Sequence, residues 1–100
     1  MPRFARKRSS SGVYHVMCRG INRQVIFKDV QDIQYYKKTL KQFKQALEFA
    51  LFAYCFMDNH LHLLIKEASG PVSEIMRKIG SSYVFWYNYK YERVGHLFQD

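Results

Sequence analysis

The stretch DNHLHLLIKE, residues 58–67, carries the pattern that decides the fold. From His60 onward its side chains alternate in character. His60 and His62 fall on one side of the segment, and the other side holds only apolar residues, Leu61, Leu63 and Ile65. A period of two is typical of a β-strand, whose successive side chains point to opposite faces. The apolar side is expected to pack on the core, so both imidazoles are expected to point away from it.

Two further segments have the character of strands. VYHVMCR (13–19) alternates in the same way, with Tyr14, Val16 and Cys18 on one side and Val13, His15, Met17 and Arg19 on the other. FALFAYCFM (49–57) is short, aromatic and apolar, which predicts a central strand buried on both faces. The Asp-Asn pair at 58–59 has the chemistry of a tight turn, so this strand and the next are expected to be antiparallel.

Helical periodicity fills the two remaining segments. Asp29 is a predicted N-cap with Asp32 in the first turn, and apolar residues then recur every three or four positions, at Val30, Ile33, Tyr36, Leu40, Phe43 and Leu47. The second helix is predicted over residues 71–92, with Pro71 at its first position. Its apolar stripe contains Val72, Ile75, Met76, Ile79, Tyr83 and Trp86.

The predicted order is β–α–β–β–α, with the start of a fourth strand in the last residues. This is most of a ferredoxin-like β-α-β-β-α-β unit, an α+β fold with its helices on one face of an antiparallel sheet. The other face would be left open for function. Residues 1–12, with Arg3, Arg6, Lys7 and Arg8, are interpreted as a flexible basic arm before a single domain at 13–100.

The charge balance points to a polyanionic partner. Sixteen Lys and Arg against eight Asp and Glu give a net charge of +8 on 100 residues, which favours nucleic acid first and a membrane surface second, with a merely solvated surface as the plain alternative. No apolar stretch approaches the ~20 residues of a membrane span. Together with Cys18 and Cys55, interpreted as buried free thiols, this predicts a cytoplasmic protein.

Two imidazoles on one face of a strand can both reach one metal ion. On the residues alone, this interpretation of His60 and His62 stands beside another, in which they are ordinary hydrogen-bonded histidines at the surface. His15 and His96 are interpreted as structural.

Three segments, taken in order, carry a resemblance. YHVMCRGINRQVIF (14–27), DNHLHLLIKE (58–67) and GHLFQD (95–100) resemble segments of the HUH single-tyrosine transposases. The chain is most similar to the REP-associated tyrosine transposases of bacteria, with an IS200-like transposase domain. The resemblance covers essentially all of residues 13–100.

The resemblance implies metal-assisted cleavage and rejoining of single-stranded or hairpin DNA through a 5′-phosphotyrosine. His60 and His62 would ligate a divalent cation, Mg²⁺ or Mn²⁺. The expected DNA contacts are Arg19, Arg23, Asn59 and Arg77, with solvated surface as the alternative for the arginines. No membrane partner is expected, and a homodimer is left open.

The chain departs from the family at its end. The family's nucleophilic tyrosine and third metal ligand lie on a later helix, beyond the segment that GHLFQD resembles. We therefore expect a C-terminally truncated transposase domain with no catalytic residue of its own, which binds DNA without cutting it. Four tyrosines of the second predicted helix, Tyr83, Tyr87, Tyr89 and Tyr91, are interpreted as packing or DNA-stacking residues. The alternative function is a non-catalytic basic module that binds single-stranded or hairpin nucleic acid.

Overall fold

The computed structural model describes residues 9–99, which form a three-stranded antiparallel sheet and two helices. The elements are β1 (Val13–Arg19), a 3-10 turn (Ile21–Arg23), α1 (Val30–Leu47), β2 (Ala50–Phe56), β3 (His60–Lys66) and α2 (Val72–Tyr91). The strand order is β1-β3-β2, so β3 pairs with both neighbours. The predicted α+β, ferredoxin-like arrangement is confirmed.

The alternation along β3 divides the sheet into two faces. Leu61, Leu63 and Ile65 are at most 1% exposed and pack in a core with side chains of both helices. The opposite face, here called the open face, spans all three strands, with β3 in the centre. It carries His15, Met17 and Arg19 from β1 and His60, His62 and Leu64 from β3, all half-buried or exposed. The face predicted for the two histidines is confirmed.

The prediction for β2 is wrong. It is an edge strand, with Phe52 58% exposed and Tyr54 51% exposed, and not a central strand buried on both faces. Part of its apolar run packs on the core: Leu51 and Phe56 are half-buried against it, and the Phe56 ring lies 5.7 Å from the Tyr36 ring of α1. An irregularity between Leu51 and Ala53 shifts its register against β3.

The helix starts follow their capping chemistry. The Asp29 carboxylate accepts a hydrogen bond from the Asp32 amide at 3.0 Å, which confirms the predicted N-cap of α1. Val30 is 67% exposed and so lies off the predicted stripe. In α2 the first helical residue is Val72, and Pro71 is the N-cap. Tyr87 is fully buried there, whereas the predicted Trp86 is half-buried.

Both helices end on a glutamate in the left-handed backbone region. Glu48 follows α1 with φ 58°, and Glu92 follows α2 with φ 52°. Glycine is the usual residue in this conformation, because a side chain there is sterically strained.

A buried carboxylate ties the two helices together. Asp32 is 0% exposed, and its oxygens accept hydrogen bonds from the Lys90 ammonium at 2.8 Å and from the Tyr91 hydroxyl at 2.7 Å. Lys90 also donates to Asp29 at 3.1 Å. The start of α1 is therefore fixed against the end of α2.

The predicted start of a fourth strand is present as a single bridge. Gly20 pairs with Phe98, and the Gln99 amide donates to the Arg19 carbonyl at 2.8 Å. Leu97 is fully buried beside them. The last described residues thus pack against the end of β1.

The two cysteines are not joined in a disulfide, but the prediction that both are buried is wrong: Cys18 is half-buried and Cys55 is exposed. The basic residues of the predicted arm, Arg3, Arg6, Lys7 and Arg8, lie outside the described residues. Ser9 to Gly12 form a turn that is hydrogen-bonded to Glu67. Neither α1 nor α2 has the length and apolar character that a bilayer-crossing helix requires.

Candidate functional site

The two histidines of β3 lie next to each other on the open face. The ring centroids of His60 and His62 are 5.2 Å apart, and the ring planes are nearly perpendicular. Both side chains are half-buried, so they are accessible from solvent yet held by the sheet. The strand itself creates this geometry, because residues two apart on a strand share a face.

Each histidine has one ring nitrogen occupied by a neighbour. The Nδ1 atom of His60 lies 2.9 Å from the side-chain oxygen of Asn59. An amide oxygen only accepts, so Nδ1 carries the proton and Nε2 keeps a free lone pair. The Nδ1 atom of His62 lies 2.9 Å from Nε2 of His15, on the neighbouring strand. Both Nε2 atoms are therefore left for another partner.

This donor set fits a divalent cation. Two imidazoles bound to one ion through bonds of about 2.1 Å place their ring centres roughly 5 Å apart, close to the separation of His60 and His62. Imidazole nitrogens suit Zn²⁺, Cu²⁺, Fe²⁺ and Ni²⁺, whereas Mg²⁺ and Mn²⁺ favour oxygen ligands. Within residues 9–99 no group of three or more His, Cys, Asp or Glu side chains is arranged to hold a metal ion. The remaining coordination positions would be filled by water or phosphate oxygens.

Two of the predicted DNA contacts lie together at the end of β1. Arg19 is directly opposite His60 in the strand pairing and so lies on the same open face. Arg23 follows in the 3-10 turn, and both arginines line a small cleft with Asn22 and Gln99. Gly20 is required in between, because a side-chain carbon there would collide with the Gln24 carbonyl.

The other two predicted contacts have different roles in the structure. Asn59 orients His60, and its backbone carbonyl accepts from the Gly20 amide at 2.9 Å, so it anchors the end of β1 to β3. Arg77 lies on α2, in an exposed ion pair with Glu74 at 2.7 Å. It lines a groove of about 610 Å³ between α2 and β1 and is not brought to the histidines.

None of the tyrosines lies on the open face. All eight fall within the described residues, and they belong to α1, to α2 or to the helix-covered side of the sheet: Tyr14, Tyr35, Tyr36, Tyr54, Tyr83, Tyr87, Tyr89 and Tyr91. The Tyr83 hydroxyl donates to the Ile26 carbonyl at 2.6 Å, and Tyr87 donates to the Val25 carbonyl at 2.7 Å. Burial raises the pKa of Tyr83 far above its ordinary value, which disfavours the phenolate.

His15 is the residue that sequence reasoning missed. It was expected to be structural, but it is exposed on the open face and hydrogen-bonded to His62. The alternation of β1 placed it on the same side as Arg19, which was the available signal. Its contact with His62 depends on the pairing of β1 with β3.

Comparisons with known proteins point to one family. The family model described as "Transposase IS200 like" matches residues 8–100. A comparison with curated proteins finds no significant match. Among solved structures, a REP-associated tyrosine transposase bound to a REP hairpin matches with a TM-score of 0.77 and 16% sequence identity. The match covers 99% of this chain and 58% of that one, and at this identity the likeness shows the fold.

Proposed function

Because this chain belongs to the IS200-like transposase family, we propose that its open face binds single-stranded or hairpin DNA and supports metal-assisted strand cleavage and rejoining. One observation carries the proposal: two imidazoles with free Nε2 atoms stand beside Arg19 on an accessible sheet face. The solved transposase of similar fold is bound to a REP hairpin, which supports DNA as the ligand.

In this proposal His60 and His62 hold a divalent cation, Mn²⁺ or Mg²⁺, through their Nε2 atoms. When bound, the cation polarises the scissile phosphate and offsets the charge that develops on its oxygens. Arg19 contacts a neighbouring phosphate, and Arg23 contacts the next one beyond the end of β1. Phosphate contacts of this kind fix the position of the DNA strand without reading its sequence.

The proposed cleavage step is attack of a tyrosine oxygen on phosphorus. It forms a 5′-phosphotyrosine and releases a 3′-hydroxyl, which keeps the phosphodiester energy available for rejoining. We propose that none of the eight tyrosines of residues 1–100 is this nucleophile, because they lie on α1, on α2 or on the helix-covered side of the sheet, whereas the imidazoles face the other side. On their own, these hundred residues would bind DNA and form no covalent bond to it.

The alternative is a basic binding module without metal chemistry. Its support is the net charge of +8 combined with the absence of a tyrosine on the open face of residues 9–99. A sheet that binds single strands by stacking presents aromatic side chains to the bases. Around His62 the open face carries instead Met17 and Cys55, its cross-strand neighbours. This composition favours the metal site.

Calorimetric titration with Mn²⁺ tests the proposal. His62→Ala should abolish measurable Mn²⁺ binding, because a single imidazole is left. His96→Ala is the matched control, since it also removes one imidazole, but one that is exposed and lies outside the pair. It should bind Mn²⁺ like the unchanged chain. Circular dichroism would check that both variants are folded, and equal affinity in all three proteins would contradict the metal site.

A further inference from the structure

We infer that His15 is a positioning residue, which holds His62 in the one tautomer whose Nε2 can bind a cation. The inference deepens the proposed function and rests on His62 as a metal ligand. The alternation of β3 does not predict the contact between His15 and His62, because His15 belongs to another strand, 47 residues away along the chain.

The contact is diagonal across the pair of strands. His62 is directly opposite Met17, and His15 is directly opposite Leu64. Diagonal neighbours on one face are within reach of long or ring-bearing side chains. The two imidazole planes differ by only 12°, with centroids 5.1 Å apart and the two nitrogens at 2.9 Å. Nearly parallel planes with this nitrogen separation suit an N–H of one ring directed at the lone pair of the other.

The hydrogen bond between the two rings contains one proton. Which ring carries that proton decides whether His62 can bind a cation. If Nδ1 of His62 donates to His15, then Nε2 of His62 has a lone pair and can ligate. If Nε2 of His15 donates instead, a neutral His62 carries its proton on Nε2 and cannot ligate. Cation binding is therefore compatible only with His15 as the acceptor, which in turn carries its own proton on Nδ1.

His60 has an equivalent partner. Asn59 accepts from Nδ1 of His60 at 2.9 Å, as His15 does from His62 in the assignment above. Each of the two imidazoles thus has its own acceptor, one from the turn before β3 and one from β1. Partners of this kind fix the tautomer and ring orientation of a ligand, and their loss typically lowers metal affinity about 10- to 100-fold.

Two substitutions of His15 distinguish the effect of its acceptor atom on metal affinity from the effect of its ring. His15→Phe keeps a planar ring beside His62 but has no acceptor. His15→Gln keeps an acceptor oxygen at about the reach of Nε2. We expect Mn²⁺ affinity to fall about 10- to 100-fold in His15→Phe and to stay close to that of the unchanged chain in His15→Gln. Unchanged affinity in His15→Phe, or equal losses in both variants, would overturn the inference.

Nitrogen-15 NMR of the imidazoles gives a second readout that needs no metal and no activity. His62 in the unchanged, metal-free chain should be the Nδ1–H tautomer, and it should move toward the Nε2–H tautomer in His15→Phe. An Nε2–H tautomer of His62 in the unchanged chain would overturn the inference, whether or not the variants fold. If His62→Ala leaves Mn²⁺ binding intact while the tautomer is as expected, the proposed metal site fails and the hydrogen bond of His15 stands.

Discussion

The Tyr83 hydroxyl donates to the Ile26 carbonyl at 2.6 Å inside the core, so its role is structural. Tyr83→Phe should lower the free energy of unfolding by about 1–2 kcal/mol, because the carbonyl loses this donor and stays buried. Urea denaturation would measure the change. Tyr89→Phe is the matched control, since Tyr89 is 82% exposed on the same helix, and it should be neutral. Equal stability of the two variants would contradict this assignment of the Tyr83 hydroxyl.

Single residues differ in how far the sequence can predict them. The shared face of His60 and His62 could be predicted, because both lie on one strand and alternation fixes their direction. The role of His15 could not, since it depends on the register in which Met17, and not His15, is opposite His62. Register between strands distant in sequence is set by the packed fold, not by local periodicity.

At the scale of elements, α1 and α2 are joined by the cluster of Asp29, Asp32, Lys90 and Tyr91. Lys90→Met should lower the free energy of unfolding by about 2 kcal/mol at pH 7, because the buried Asp32 carboxylate loses its charged donor. Thermal or urea unfolding would measure it. Lys78→Met should change little, since its pairing with Glu74 is exposed.

The same cluster makes the loss of stability in Lys90→Met depend on pH. The hydrogen bond from Lys90 lowers the pKa of Asp29 below its ordinary value of 3.8. A carboxyl with a lowered pKa in the folded state stabilises the fold above its unfolded pKa, and this contribution is lost as the pH falls through the folded pKa. The difference in the free energy of unfolding between the unchanged chain and Lys90→Met should therefore be largest near neutral pH and shrink below about pH 4. A difference in unfolding free energy that does not change with pH would contradict the pairing of Lys90 with Asp29.

Element type was predictable, but element position was only partly so. Capping by Asp29 and the alternation of β3 are local signals, and both agree with the structure. The place of β2 in the sheet is not local. Its apolar residues predicted burial, yet β3 takes the centre by pairing on both sides, and Tyr54 on the edge is covered only in part, by Lys37 of α1.

For the molecule as a whole, a net charge of +8 predicts DNA binding that weakens steeply with salt. The logarithm of the association constant should fall with the logarithm of salt concentration by about 0.7 per phosphate contact on a single strand. Fluorescence anisotropy with a labelled hairpin that carries a single-stranded extension would measure the slope. Replacing both Arg19 and Arg23 with Gln should make the slope shallower by about 1.4, because two phosphate contacts are lost.

A charge-matched control separates the cleft at the end of β1 from the general basicity of the molecule. Lys41 and Lys44 are exposed on α1, in the helix layer behind the sheet. Replacing both with Gln removes the same charge and should leave the slope nearly unchanged. Equal slopes for the two double variants would mean that the arginines do not contact phosphate.

The glutamates that end α1 and α2 are positions at which the thermal stability of the domain can be raised. Glu48 and Glu92 each hold a left-handed backbone that costs a side-chain-bearing residue about 1 kcal/mol, and each sets a negative charge at the negative end of a helix. Glycine would relieve both penalties at positions in the helix layer. A more heat-resistant version of the fold could therefore be engineered without touching the histidines or arginines of the open face.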